Sequence, residues 1–273
     1  KGGFLPSELE IDLVISHNKF DNFQTLYPIA KQLKVPLISI EHTAPVPNWP
    51  SQQIEHMRDK MRGDINVFIT DWSREKWGWK EEDAISIYHG IDTDIFKPDE
   101  RRHLVDPKLH PYILTVVNQF SKEIRHWCCG FPIWKEVIKD LPWKHIGDDP
   151  GFSEPAKSIE DLVKQYNKAT IFLNTSTFSP IPMSLMESMS CGCACVSLDS
   201  CDIPKIIKHG ENGLLGSNSS ELRANCVALL KDPELRYKLG TNARKTIVEQ
   251  FGLDKFINKW NEVLTRAASI RKS

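Results

Sequence analysis

The stretch Asn174-Thr-Ser-Thr-Phe-Ser-Pro-Ile-Pro-Met-Ser-Leu-Met-Glu-Ser-Met-Ser-Cys-Gly-Cys-Ala-Cys-Val-Ser197 holds the residues whose types and spacing point most directly to chemistry. A strand over Thr170 to Leu173 ends in a polar loop, and Pro182 suits the first turn of a helix over Met183 to Met189. The backbone N–H groups of Met183, Ser184 and Leu185 are then free to bind an anion. A helix N-terminus carries about half a positive charge and takes a phosphate without a basic side chain. Glu187 lies one turn on, on the face of Ser184, where a carboxylate can accept from two sugar hydroxyls. The competing reading is a surface helix with a solvated Glu. Gly192 is the expected residue just past the helix end.

Other residue types invite weaker readings. His42, in Ser39-Ile-Glu-His-Thr43, lies just past a strand end, and His17 closes the strand before it; a lone His there is more often structural. Cys191, Cys193 and Cys195 alternate onto one side of an extended segment, but one strand cannot wrap a tetrahedral ion, so no metal site is expected. Small buried thiols are the expectation, and Cys128-Cys129 beside Trp127 reads the same way. Trp72, Trp77 and Trp79 could stack on sugars, yet packing is the default.

These residues need elements to position them. The 273 residues, 40% hydrophobic and 26% charged, have the composition of a globular α/β chain of one large or two modest domains. A formal net charge of −1 argues against a nucleic-acid binder that works by neutralising phosphates. No apolar run reaches about 18 residues, so no membrane span is expected, and no leader-like stretch opens the sequence. Seven Cys without paired spacing favour reduced thiols and a cytoplasmic location. Short Val- and Ile-rich strands (Asp12 to Ser16, Pro36 to Ile40, Ile65 to Ile69, Ala84 to Tyr88) alternate with helices over Phe23 to Leu33 and Gln52 to Arg62, and with a short one over Arg74 to Trp77 capped by Ser73. A polar linker spans Lys97 to Pro111. The alternation then restarts with Tyr112 to Val117, a helix over Phe131 to Asp140, Trp143 to Ile146, a helix over Ile159 to Asn167, the strand and helix already named, Ala194 to Leu198, and a helical tail from Ser220. The expected architecture is therefore two parallel sheets, with ligands beyond the strands' carboxyl ends.

Four ordered strings resemble one family. Glu187-Ser-Met-Ser-Cys-Gly-Cys-Ala-Cys-Val196 is similar to the E-A-M-A-C-G-x-P-V-V signature of retaining GT-B glycosyltransferases of family 4. His89-Gly-Ile-Asp-Thr-Asp-Ile-Phe-Lys-Pro98 resembles the family's junction motif. Asp161 to Leu173 resembles E-L-x-x-x-Y-x-x-A-D-x-F-V, and Ile203 to Leu215 resembles P-E-x-I-x-x-G-x-N-G-x-L. The resemblance implies a GT-B-like fold: two Rossmann-like domains facing a cleft, the first (1–110) shortened, the second (111–252) binding a nucleotide sugar, and a final helix (253–273) crossing back to the first. It implies transfer of a sugar from a nucleotide-diphosphate sugar, such as a UDP- or GDP-sugar, to an acceptor hydroxyl with retention of configuration and without a metal. The acceptor class is a glycan, a lipid-linked or a small molecule.

Carried over residue by residue, Glu187 would grip the nucleotide ribose, and the amides of Met183 and Ser184 would receive a phosphate. Lys122 and Arg125 would stabilise the departing diphosphate, and His42 would contact the transferred sugar. Ser179, Asn118 and Gly147 complete the donor set. Two departures stand out. Ser179 occupies the position of a first Glu eight residues before Glu187, with Pro180 and Pro182 in place of glycines, and Asn118 stands where the family usually has Arg. The sequence also opens partway into the family's first domain, which predicts an uncovered sheet edge and self-association. These departures favour a second expectation, a nucleotide- or glycan-binding remnant with little or no transferase activity.

Overall fold

In the computed structural model the described residues are 10–18, 22–99 and 111–270. The chain divides into two compact units, residues 1–88 with 256–273, and residues 89–255.

The first unit holds β1 (Val14–His17), α1 (Asn22–Leu33), β2 (Leu37–Glu41), α2 (Ser51–Lys60), β3 (Ile65–Phe68), α3 (Asp71–Lys76) and β4 (Ile85–Ser86), all parallel in the order β1-β2-β3-β4. Every residue of β2 and β3 is buried, as expected for a parallel sheet covered on both faces. Alternation along β2 divides the work. Ile38 and Ile40, with Ile65, Val67 and Ile87, pack under Val263 and Ala267 of α11 (Leu253–Ala268). Leu37 joins Val14 and the Phe23 and Ala30 side chains of α1 in a separate cluster. The final helix, expected over 253–273, is observed over Leu253–Ala268, with 271–273 outside the described residues.

The second unit contains β5 (Ile113–Val116), α4 (Glu123–Cys129), α5 (Phe131–Ile138), β6 (Trp143–Ile146), α6 (Ile159–Lys168), β7 (Ile171–Asn174), α7 (Met183–Ser190), β8 (Cys195–Leu198), α8 (Ile203–Ile206), β9 (Leu214–Gly216), α9 (Ser219–Lys231) and α10 (Pro233–Phe251). Its parallel sheet runs β6-β5-β7-β8-β9. The chain leaves β5 toward β6 and returns to β7 on β5's other side, so the order reverses between β5 and β7. Ligands of open α/β sheets lodge at the carboxyl ends of the strands at such a reversal.

Several expectations need correction. The division falls after Tyr88 instead of at residue 110, because the junction belongs to the second unit: Ile91 N donates to the Phe251 carbonyl (2.8 Å). The second division falls inside α11, after Lys255 instead of before residue 253. Most of the expected linker, residues 100–110, lies outside the described residues. Thr70 caps α3 in place of Ser73: its Oγ1 accepts from the Ser73 amide (3.0 Å), while the Ser73 hydroxyl donates to the Thr43 carbonyl (3.0 Å). Strand β8 begins only at Cys195, so Cys191 ends α7 and Cys193 lies in the turn; the three do not alternate along one strand. All three are buried, and all seven cysteines are thiols.

Candidate functional site

The site assembles around α7. Pro182 precedes the helix at φ −67° and ψ 126°, with no side-chain cap and no acidic residue in the first turn. The Leu185 and Met186 amides both reach back to the Pro182 carbonyl (3.1 and 3.4 Å). The Met183 and Ser184 amides therefore have no intrahelical acceptor. Met183 is exposed and Ser184 half-buried, so this positive helix end is open rather than plugged. Glu187 is half-buried, and its Oε2 accepts from the Tyr166 hydroxyl at 2.7 Å. Burial lifts the Glu187 carboxyl above its ordinary range, and the Tyr166 bond opposes that only in part. The solvated-Glu alternative does not describe this side chain.

Beside it, the loop after β5 and the loop after β7 are bound into one body. Cys128 O accepts from the Thr177 and Phe178 amides (3.0 and 3.1 Å), Trp127 O from Thr177 Oγ1 (2.6 Å), and Cys129 O from Thr175 Oγ1 (3.2 Å). The Trp127 and Phe178 rings lie 5.3 Å apart. On the far side, Ser200 Oγ donates to Ser176 O (2.7 Å) and the Asp202 amide to Pro180 O (3.3 Å). Ser179 sits half-buried in this braced loop.

Lys122 and Arg125 belong to the start and body of α4, a helix absent from the sequence reading. Lys122 Nζ lies 3.9 Å from Asp149 Oδ1 and donates to Pro150 O (3.4 Å). Asp149 is fully buried; burial pushes its pKa up, but the Ser121 amide (2.6 Å) and hydroxyl (2.8 Å), with Lys122, bring it below the usual carboxylate range. The Arg125 guanidinium donates to Cys129 Sγ (3.4 Å), which raises its pKa further. Asn118 Oδ1 accepts from the Asp148 amide (2.9 Å), tying the loops after β5 and β6 together. Gly147 is required by backbone approach: a Cβ there would stand 2.0 Å from the Val117 carbonyl oxygen.

In the first unit, strand pairing of β1 and β2 brings His17 and His42 together, with Nδ1 of His17 2.7 Å from Nε2 of His42. The preceding Glu41 is buried and accepts from the Thr43 amide (2.9 Å) and hydroxyl (2.8 Å); burial nevertheless keeps its pKa raised. Trp77 and Trp79 are core residues, as packing would have them. Among the described residues, no group of three His, Cys, Asp or Glu is placed to hold a metal ion.

Residues 151–246 match the family model described as Glycosyl transferases group 1. The fold is that of the GT-B glycosyltransferases. HepE of Anabaena, solved in complex with UDP and glucose, superposes on 93% of this chain and 77% of its own at a TM-score of 0.76 and 15% identity. Sucrose-phosphate synthase of Thermosynechococcus elongatus does so on 93% and 73% at a TM-score of 0.75 and 14% identity. By sequence, this GT-B chain is 26% identical over 130 residues to N-acetyl-alpha-D-glucosaminyl L-malate synthase of Bacillus anthracis (47% of this chain, 32% of that protein). It is 24% identical over 219 residues to poly(glycerol-phosphate) alpha-glucosyltransferase of Bacillus subtilis strain 168 (70% and 32%). The matched stretches thus span about a third of these two curated relatives. No described helix is long and apolar enough to cross a membrane.

Two residues of the GT-B second unit escaped the sequence reading as contributors. Tyr166 stood in a quoted string only as a family marker; a Tyr at an interior helix position needs a partner for its hydroxyl, and that was the available signal. Arg244 of α10 donates to the carbonyls of Phe96 (2.7 Å), Ser190 (3.0 Å) and Thr93 (2.9 Å), latching the junction to the end of α7. Nothing in its local spacing announced this.

Proposed function

We propose that the second unit binds a nucleotide-diphosphate sugar at the reversal between β5 and β7, and that the protein transfers the sugar to an acceptor hydroxyl with retention and without a metal. The observation that carries the reading is the pairing, on one helix, of open N-terminal amides at Met183 and Ser184 with a half-buried carboxylate at Glu187. The amides suit a phosphate, and the carboxylate suits the ribose diol. A UDP-sugar is the first donor class to test, because HepE, similar in fold, was solved with UDP and glucose.

In this reading the departing diphosphate meets fixed positive charge from the helix end, Lys122 and Arg125, which lowers the barrier to its loss. The His17–His42 pair serves the sugar side, and the acceptor attacks on the face the diphosphate leaves. A glycan, lipid-linked or small-molecule acceptor, a cytoplasmic location, and self-association testable by light scattering belong to the same proposal. Glu187→Ala should weaken UDP or GDP affinity about tenfold or more by calorimetry; unchanged affinity removes Glu187 from the site. Burial lifts the Glu187 carboxyl, so affinity should also fall on acidification at a higher pH than an ordinary Glu would give.

Ser179 in place of a carboxylate favours a second reading, a binding remnant. Incubation with a panel of UDP- and GDP-sugars separates the two. Nucleoside diphosphate release that depends on an acceptor supports transfer, and binding without turnover supports the remnant.

A further inference from the structure

Tyr166 is completely buried, and the rings of Phe172 and Phe96 lie 5.9 and 6.3 Å from its own. In such surroundings Phe would pack as well, and a buried hydroxyl is costly unless bonded. Its bond is to Glu187 Oε2 (2.7 Å). The Tyr166 backbone is itself fixed: its carbonyl accepts from Cys193 Sγ (2.9 Å), and the next residue, Asn167, donates to Lys97 O (3.0 Å) and accepts from the Asp99 amide (2.7 Å). A carboxylate offers two oxygens with about four lone-pair positions. Oε2 is engaged, and among the described residues Oε1 has no hydrogen-bond partner.

We propose that Tyr166 is the positioning residue of the donor site, holding one oxygen of Glu187 so that the other is presented, already oriented, to the ribose hydroxyls of a nucleoside diphosphate. The inference rests on the ribose role given to Glu187 above. Tyr166 does not touch the ligand. It spares the site from ordering a flexible three-torsion side chain at the moment of binding, which is where preorganisation gains affinity.

The test measures affinity for UDP and GDP, each beside its 2′,3′-dideoxy counterpart, in the full chain and in Tyr166→Phe, Glu187→Gln and the double variant. Thermal melts confirm that each variant is folded. Tyr166→Phe should lose about tenfold in affinity for the ribose form and much less for the dideoxy form, so the ratio between them shrinks. The double variant should lose little beyond Glu187→Gln alone, the mark of two residues acting as a unit. If Glu187→Gln lowers the ratio and Tyr166→Phe lowers only the melting temperature, Tyr166 is a packing residue and the proposal fails while the donor reading stands. If neither nucleotide binds, or Glu187→Gln leaves the ratio unchanged, the ribose role itself falls and takes Tyr166 with it.

Discussion

His145 shows how much a single buried group can set. Its ring lies 5.1 Å from Phe120 and 5.0 Å from Phe152, and its Nδ1 is 2.7 Å from Ser153 Oγ. The Ser153 hydroxyl spends its one hydrogen on the Gly147 carbonyl (3.0 Å), so the proton of that contact belongs to Nδ1. Nε2 is then a bare acceptor, buried and unbonded. Burial pushes the His145 pKa down to about 4, against partial opposition from Asp149 and the Val117 backbone. A folded-state value below the ordinary 6.5 means the unfolded chain takes up the proton first. This stabilisation is present above pH 6.5 and is lost as pH falls toward 4. Glu41 and Glu187, both raised above 4.5, take up protons earlier in the folded chain and so oppose part of this loss as pH falls. Melting temperature should therefore drop between pH 6.5 and 4.5, and His145→Phe should flatten that drop. An equally steep drop in the variant would assign it to other groups.

Among elements, α4 is the instructive one. Gly130 ends it at φ +73°, and a Cβ there would stand 1.9 Å from the Thr175 carbonyl oxygen, within the loop that leads into α7. Gly130→Ala should therefore displace that loop as well as strain the backbone. Gly151, at φ +86° with nothing within 4 Å of its Cβ position, supplies the control. Gly151→Ala should cost only the left-handed penalty of about 1–2 kcal/mol. Gly130→Ala should melt well below it and bind nucleotide more weakly; equal melting temperatures would show that the loop yields freely. The physical reason α4 was illegible is visible here. Glu123-Ile-Arg-His-Trp-Cys-Cys129 has no side-chain cap and leaves Ile124 and Trp127 exposed, so no apolar stripe marks it. Besides the burial of Cys129 in the core, its support includes the Thr175–Phe178 bonds, which no local pattern encodes. The three-residue β9 and four-residue α8 were missed because they are too short to show a period. The short Val- and Ile-rich strands β2 and β3 and Glu187's helix were readable, since burial on both faces and the proline start leave local marks. The Tyr166–Glu187 bond, 21 positions apart, does not.

At the scale of the whole molecule, each unit has its own core, one around Trp134, Val137 and Leu173 and another where α11 covers Ile38, Ile40 and Val67. Val263 is 3% exposed in the latter. Val263→Asp places an unpaired charge there, a change expected to cost at least ~3 kcal/mol. Scanning calorimetry should show an early transition for the first unit and a later one for the second, with UDP raising the later one alone. A single transition shifting as a whole would mean that the two cores do not melt separately.

The first unit is also built from two distant stretches of chain, with the 167 residues from 89 to 255 between them. During translation its sheet leaves the ribosome long before residue 256 is made. Until then the nascent Ile38, Ile40 and Val67 surface waits without its cover, exposed to chaperones and to neighbouring nascent chains. Folding of this unit is completed only once α11 has been made, after the second unit has had time to form.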